Sequence, residues 1–193
     1  MTYNFDEIID RRNTNSENVE GWRPDIFHCG PERGFPYYDE EFIRMWAADM
    51  EFAVAPEILQ AITDRVDRRI LGYTLVYDKG YYEALRAWCE SRYGWSFPKE
   101  QLTFSPGVIP ALYQLTEDLV KPLNGKVLTM TPAYGFFLHA CEYNGVELVT
   151  SPLREENGRF SVDWEDFETT AADQDVKLLM LCNPHNPTGR IWT

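Results

Sequence analysis

Apolar residues recur along this chain first at helical spacing and then in short runs. Ile58, Leu59, Ile62, Val66 and Ile70 fall on one face behind Pro56, which predicts a helix over about 56–70. Gly72-Tyr73-Thr74 breaks it, and a second helix follows over about 78–93, with Tyr81, Leu85, Trp88 and Cys89 on one face and Gly94 as its stop. Beyond Gly94 the pattern alternates. It predicts a short strand at 102–104, a helix over 107–120, a strand over 127–130, a helix over 134–143 and a strand over 146–150. Asn157-Gly158 marks a small hairpin within 153–162, Asp163 caps a helix to about 171, and a last strand covers 176–182. That last run, Val176 to Cys182, is almost continuously apolar, the pattern of a strand covered on both faces of a parallel sheet. The alternation as a whole predicts an α/β fold, a three-layer αβα arrangement around a mostly parallel sheet.

Residues 1 to about 45 lack this periodicity and are polar, aromatic and irregular. Trp22, Phe27, Phe35, Tyr37 and Tyr38 are costly to leave in water, so this arm is expected to pack on a body or a neighbouring subunit. At the other end Thr193 sits where a helix N-cap would be, which leads us to expect a piece of a longer protein.

Composition narrows the function classes. An apolar fraction of 44% with eleven Phe, eleven Tyr and six Trp can fill a sizeable core. The formal net charge of −13 argues against nucleic acid and anionic membrane surfaces, which require basic patches. It leaves room for a small anionic ligand, because backbone N–H groups at a helix start bind phosphate whatever the overall charge. The N-terminal residues carry no secretory pattern, and no apolar run reaches the roughly 20 residues that span a bilayer. Cys29, Cys89, Cys141 and Cys182 form no C-x-x-C pair and read as reduced thiols of a cytoplasmic protein; no ligand spacing joins them to His28, His139 or His185 as a metal site.

Three loops carry candidate chemistry. Asn183-Pro184-His185-Asn186-Pro187-Thr188-Gly189-Arg190 follows the last strand, at the sheet edge where successive loops of open α/β folds converge on a ligand. Its prolines stiffen the turn and its asparagines offer amide donors and acceptors. A plain Pro/Gly-rich surface loop is the competing reading. Ser105-Pro106-Gly107-Val108-Ile109-Pro110 joins a predicted strand to a helix, where Gly107 allows close approach and the next N–H groups can cradle a phosphate; helix capping alone, common where α/β helices start with Ser, Pro and Gly, is the competing reading. In Thr131-Pro132-Ala133-Tyr134-Gly135, the Tyr134 ring can lie over a planar ligand or can be a core aromatic beside Phe136 and Phe137. No G-x-G-x-x-G or G-x-x-x-x-G-K-[ST] string is present, which weakens a nucleotide reading.

Taken together and in this order, Trp46-Ala47-Ala48-Asp49-Met50, Gly72-Tyr73-Thr74, Ser105-Pro106-Gly107, Pro132-Ala133-Tyr134 and Asn186-Pro187-Thr188-Gly189 resemble the pyridoxal-phosphate enzymes of fold type I. The resemblance is to the aspartate aminotransferase superfamily (class I/II), most nearly its MalY/PatB-type cystathionine β-lyases, and it runs from Asp10-Arg11-Arg12 to Trp192. It implies that the backbone N–H groups of Gly107, Val108 and Ile109 hold the cofactor phosphate, that Tyr134 stacks on its ring, and that Asn186 donates to its phenolic oxygen. It implies that Tyr73 reaches a phosphate in the partner subunit of a homodimer, and that Ala47 or Ala48 lines the pocket near the substrate carboxylate. It divides the chain into an arm and part of a small domain, 1–50, and the first part of a large cofactor-binding domain, 51–193.

The same resemblance puts the Schiff-base lysine, the aspartate facing the pyridine nitrogen and the carboxylate-gripping arginine downstream of this sequence, so no catalytic residue is expected in it and the 193 residues alone are expected to be inactive. Ser96-Phe97-Pro98-Lys99 matches S-x-x-K but precedes the phosphate loop, and Lys99 reads as a surface residue opening a turn. The implied activity is β-elimination from a cystathionine- or cysteine-like amino acid, giving thiol, pyruvate and ammonia. An aminotransferase shares every visible site residue, and a non-catalytic regulatory or assembly fragment is the reading from another class.

Overall fold

In a computed structural model, residues 3–76 and 78–193 are described. They form two compact units, one within Met1–Val76 and one within Tyr77–Thr193.

The first unit contains α1 (Glu17–Glu20) and α2 (Pro56–Val66). Its arm does not need a separate body to shelter all its aromatics, because several shelter one another. Trp22 meets Phe27, Phe35 and Phe42 at centroid distances of 5.8, 5.4 and 5.0 Å, and the Arg23 guanidinium lies 4.5 Å from the Trp22 ring. Tyr37 and Tyr38 remain exposed. Helix α2 stops four residues short of the predicted end, where Arg69 turns to a positive φ of 58°, and its apolar stripe of Ile58, Leu59, Ile62 and Val66 is exposed in this unit.

The second unit opens with α3 (Lys79–Tyr93), capped by Asp78 through the Tyr81 N–H and stopped by Gly94. Residues 102–104 differ from the prediction: they pair with no strand among the described residues. Three apolar residues satisfy the period of a strand, but only a neighbour's backbone makes one. Next comes α4 (Val108–Leu115), shorter than predicted. Thr116 is fully buried and its hydroxyl donates back to the Leu112 carbonyl at 2.8 Å, a local competitor for helical bonding, and the chain widens into a π turn over Thr116–Val120.

The remaining elements are β1 (Lys126–Thr131), α5 (Gly135–Asn144), β2 (Glu147–Pro152), the hairpin β3 (Arg154–Glu156) and β4 (Arg159–Ser161), α6 (Trp164–Ala171) and β5 (Val176–Leu179). β1 lies between β2 and β5 with both pairings parallel. Right-handed crossovers that leave β1 for one side and return to the other put α5 and α6 on opposite faces, which is the expected α/β layering. Val127 joins Val120, Phe137, Ala140, Cys141 and Met180 in the core, and burial pushes the Cys141 thiol up to about 11. On the α6 side, Ser151 donates to Asp166 at 2.6 Å. Each large apolar side chain so buried stabilises the fold by about 1.5–3 kcal/mol.

The strand covered on both faces is thus β1, whose four inner residues are all buried, and not the last strand. In β5 and its continuation Leu178, Met180 and Cys182 reach the core while Leu179 and Leu181 are exposed. Ladder pairing of β5 ends at Leu179, although the Met180 N–H still donates to the Leu128 carbonyl at 2.9 Å.

Candidate functional site

Because β1 and β5 are parallel neighbours, the loops that follow them leave the sheet at one edge. α4 feeds through the π turn and a 3-10 turn (Lys121–Leu123) directly into β1, so it runs back along the sheet and begins at that same edge. Asn144, the last residue of α5, donates to the carbonyl of Tyr113 near the end of α4 at 3.1 Å. The two helices therefore end together and start together, bringing Gly107, Tyr134 and the Asn183 loop to one side of one unit.

Capping separates these two helices from α3 and α6 of the same unit. α3 and α6 begin with an aspartate whose carboxylate takes up a first-turn N–H, whereas neither Gly107 before α4 nor Tyr134 before α5 supplies a side-chain cap. Ser105 spends its hydroxyl on the Gly107 carbonyl, at 2.8 Å. The N–H groups of Gly107, Val108 and Ile109 have no partner among the described residues, and Pro110 has none to satisfy. Free donors at a helix start, reinforced by its dipole, favour an anion. Tyr134 is half-buried, 5.3 Å from Phe136 and edge-on to Phe137 at 6.0 Å, so it has the core contacts of an ordinary aromatic and still stands at the edge.

The Asn183 loop is braced from within. His185 N–H donates to the Arg190 carbonyl and Gly189 N–H to the His185 carbonyl, both at 2.7 Å, and Gly189 takes the left-handed φ of 69° that closes this turn. The buried His185 imidazole, pushed below its usual value by burial, places Nδ1 2.8 Å from the Thr188 hydroxyl and its ring 5.3 Å from Trp192. Trp192 closes the base: its backbone N–H donates to Asn183 Oδ1 at 3.1 Å and its indole to the Cys182 carbonyl at 3.1 Å. The Asn186 backbone N–H meets Cys182 Sγ at 3.3 Å, while its exposed side-chain amide has no partner among the described residues. Asn183 is thus a frame residue and Asn186 the free one. The bracing roles of His185 and Trp192 leave no periodic signal; only the density of Pro, Asn and Gly around them hints at a rigid turn.

Ala47, Ala48 and Tyr73 belong to the first unit. Tyr73 is fully exposed there. Ala47 holds a left-handed φ of 46°, which costs an L-residue about 1–2 kcal/mol and needs support. Asn18, buried in α1, provides it: its side-chain amide donates to the carbonyls of Trp46 (3.2 Å) and Ala47 (3.0 Å) and to the Asp49 carboxylate (2.9 Å). Arg44 donates to Asn18 Oδ1 at 2.9 Å, and Arg11 is ion-paired with Asp49. Arg11 and then Asn18 hold the Asp49 carboxyl below its usual range. Nothing in the spacing of Asn18, Arg44 and Asp49 announces this network.

A model of the family described as aminotransferase class I and II matches residues 40–193. Cystathionine beta-lyase PatB of Bacillus subtilis (strain 168) is 40% identical over 149 residues, covering 77% of this chain and 38% of that protein. The crystal structure of a PLP-bound C-S lyase from Staphylococcus hominis superposes with a TM-score of 0.86 at 41% identity, over 100% of this chain and 46% of the other. Cystalysin from Treponema denticola, whose crystal structure contains a pyridoxal 5'-phosphate cofactor, superposes at 0.85 with 29% identity, over 100% and 46%. The chain spans less than half the length of these relatives. No helix among the described residues is long and apolar enough to cross a membrane.

Proposed function

The chain belongs to the aminotransferase class I and II family, and from that premise we propose that the whole protein is a pyridoxal-phosphate carbon–sulfur β-lyase of the cystathionine β-lyase type, with this chain supplying part of its cofactor site. The observation that carries the reading is the meeting, at one sheet edge, of an uncapped helix start at Gly107, the Tyr134 ring and the unpartnered Asn186 amide.

These groups fit the cofactor in kind. The unpartnered N–H groups of Gly107, Val108 and Ile109 suit a phosphate, and the Asn186 amide on its braced loop suits a phenolic oxygen that carries negative charge. The half-buried Tyr134 ring suits a planar heterocycle. Pyridoxal phosphate, when bound, supplies the electron sink that makes an amino acid's α-proton removable. Binding, orienting and tuning are the tasks of this chain's residues: Asn186 stabilises charge on the ring oxygen, Tyr134 fixes the ring plane, and the α4 start anchors one end. None of them moves a proton.

Ala47 and Ala48 line the substrate side, and Tyr73, exposed in its own unit, reaches the phosphate site of a second copy in a cytoplasmic homodimer. The substrate is a cystathionine- or cysteine-like amino acid, whose β-sulfur departs as a thiol and whose remaining three-carbon unit takes up one water to give pyruvate and ammonia. The family's description favours one second reading, an aminotransferase. Incubating the complete, cofactor-loaded protein with cystathionine separates them. Release of pyruvate and ammonia supports the lyase; amino transfer to an added 2-keto acid with no pyruvate supports the aminotransferase.

A further inference from the structure

In the turn Trp46-Ala47-Ala48-Asp49 the carbonyls and the N–H groups are treated differently. Asn18 engages the Trp46 and Ala47 carbonyls with its side-chain amide, while the N–H groups of Ala47 and Ala48 donate to nothing among the described residues. Two amide hydrogens shared among three acceptors lock the Asn18 side chain, and the Arg44 guanidinium fixes which end of it faces them by donating to Oδ1. The left-handed Ala47 breaks the run of the backbone between two arms of this network. Asp49 completes it, tied to Asn18 on one side and to Arg11 on the other, and Glu51 lies 3.6 Å from Arg44 and 3.8 Å from Arg11. With the Trp46 and Ala47 carbonyls engaged and the Ala47 and Ala48 N–H groups left over, the turn is suited to receive an acceptor, and a carboxylate is the acceptor-only group an amino acid carries.

We infer that Asn18 is the positioning residue for substrate binding: by consuming the Trp46 and Ala47 carbonyls it fixes the turn in which the Ala47 and Ala48 N–H groups are left for the carboxylate of the amino-acid substrate. This rests on the proposed placement of Ala47 and Ala48 beside that carboxylate, and it adds that the arm, through one buried amide, sets the affinity for the substrate. Asn18 touches neither substrate nor cofactor.

The test uses the complete, cofactor-loaded protein and two variants. Asn18→Ala removes the amide; Asn18→Asp keeps the side-chain shape and the acceptor for Arg44 but replaces the donor. Two readouts are taken: the backbone conformation at Ala47 in crystal structures of the variants, and steady-state KM and kcat for cystathionine with the cofactor's visible spectrum as a control. Both variants are expected to lose the left-handed conformation at Ala47 and to raise KM on the order of tenfold, the scale of one lost hydrogen bond, with kcat and spectrum nearly unchanged. An unchanged turn in Asn18→Asp would overturn the inference and leave the Ala47 and Ala48 reading standing. A rearranged turn with wild-type KM would overturn both, because the turn's conformation would then matter nothing to the substrate. A fall in kcat with KM constant would also overturn it, since that marks a group used in the chemical step.

Discussion

The Thr129 hydroxyl donates to the carbonyl of Met180 at 3.0 Å in the buried interior of the second unit. Ladder pairing between β1 and β5 stops at Leu128–Leu179, so this side chain carries the connection one step further, toward the loops that bear Tyr134 and Asn186. A buried carbonyl held by a side chain is vulnerable to loss of that side chain. Thr129→Val keeps the shape and leaves the Met180 carbonyl without its partner, and a destabilisation of about 1–3 kcal/mol is expected in urea unfolding. Thr129→Ser retains the hydroxyl and is expected to lose less.

Gly189 offers a separate test of the braced loop. A methyl group added there would meet nothing within 4 Å, so any cost comes from its φ of 69° alone. Gly189→Ala is expected to destabilise by about 1–2 kcal/mol, and Gly189→Asn by less, because Asn tolerates the left-handed region. Equal stabilities in urea would mean that the turn relaxes without the glycine.

The acid side of the stability profile tests the Asn18 network. Hydrogen bonds from Arg11 and then Asn18 lower the folded-state Asp49 carboxyl below its ordinary value of 3.8. A lowered folded value means that the contribution is present above the unfolded value and is lost as pH falls through the folded one. Arg44 and Glu51 stand by the same group through Asn18 and Arg11. The stability advantage of the wild type over Asp49→Asn is therefore expected to hold from neutral pH to about 4 and to shrink below it, as read by urea unfolding at stepped pH. A constant difference down to pH 2 would contradict the assignment.

Much of the layering was legible because local signals and tertiary demand agree in it. Asp78 and Asp163 cap the helices their positions predict, Asn157-Gly158 turns the hairpin with both φ values positive, and the β-α-β-α-β alternation folds into a parallel sheet. Prediction failed where a partner decides. Residues 102–104 have strand-like composition and no neighbour among the described residues, and the apolar run at 176–182 alternates between core and surface although its pattern suggests two covered faces. The positions of Gly107, Tyr134 and Asn186 at the ends of elements were readable because each follows or precedes an element whose direction the alternation dictates. Asn18 was not. Its value lies in carbonyls some 28 residues away, and a side-chain amide bonded to distant backbone has no period.

The central claim, that the edge formed by Gly107, Tyr134 and Asn186 holds pyridoxal phosphate, is tested most directly by titrating the cofactor into the complete apo-protein and following its visible absorption. Asn186→Ala is expected to weaken binding by roughly ten- to a hundredfold, the worth of a hydrogen bond to a charged oxygen, and to shift the pH at which the spectrum changes. Tyr134→Ala is expected to weaken binding, with Tyr134→Phe closer to the wild type because it keeps the ring. Wild-type affinity and spectrum in both Asn186→Ala and Tyr134→Ala would contradict this placement of the cofactor.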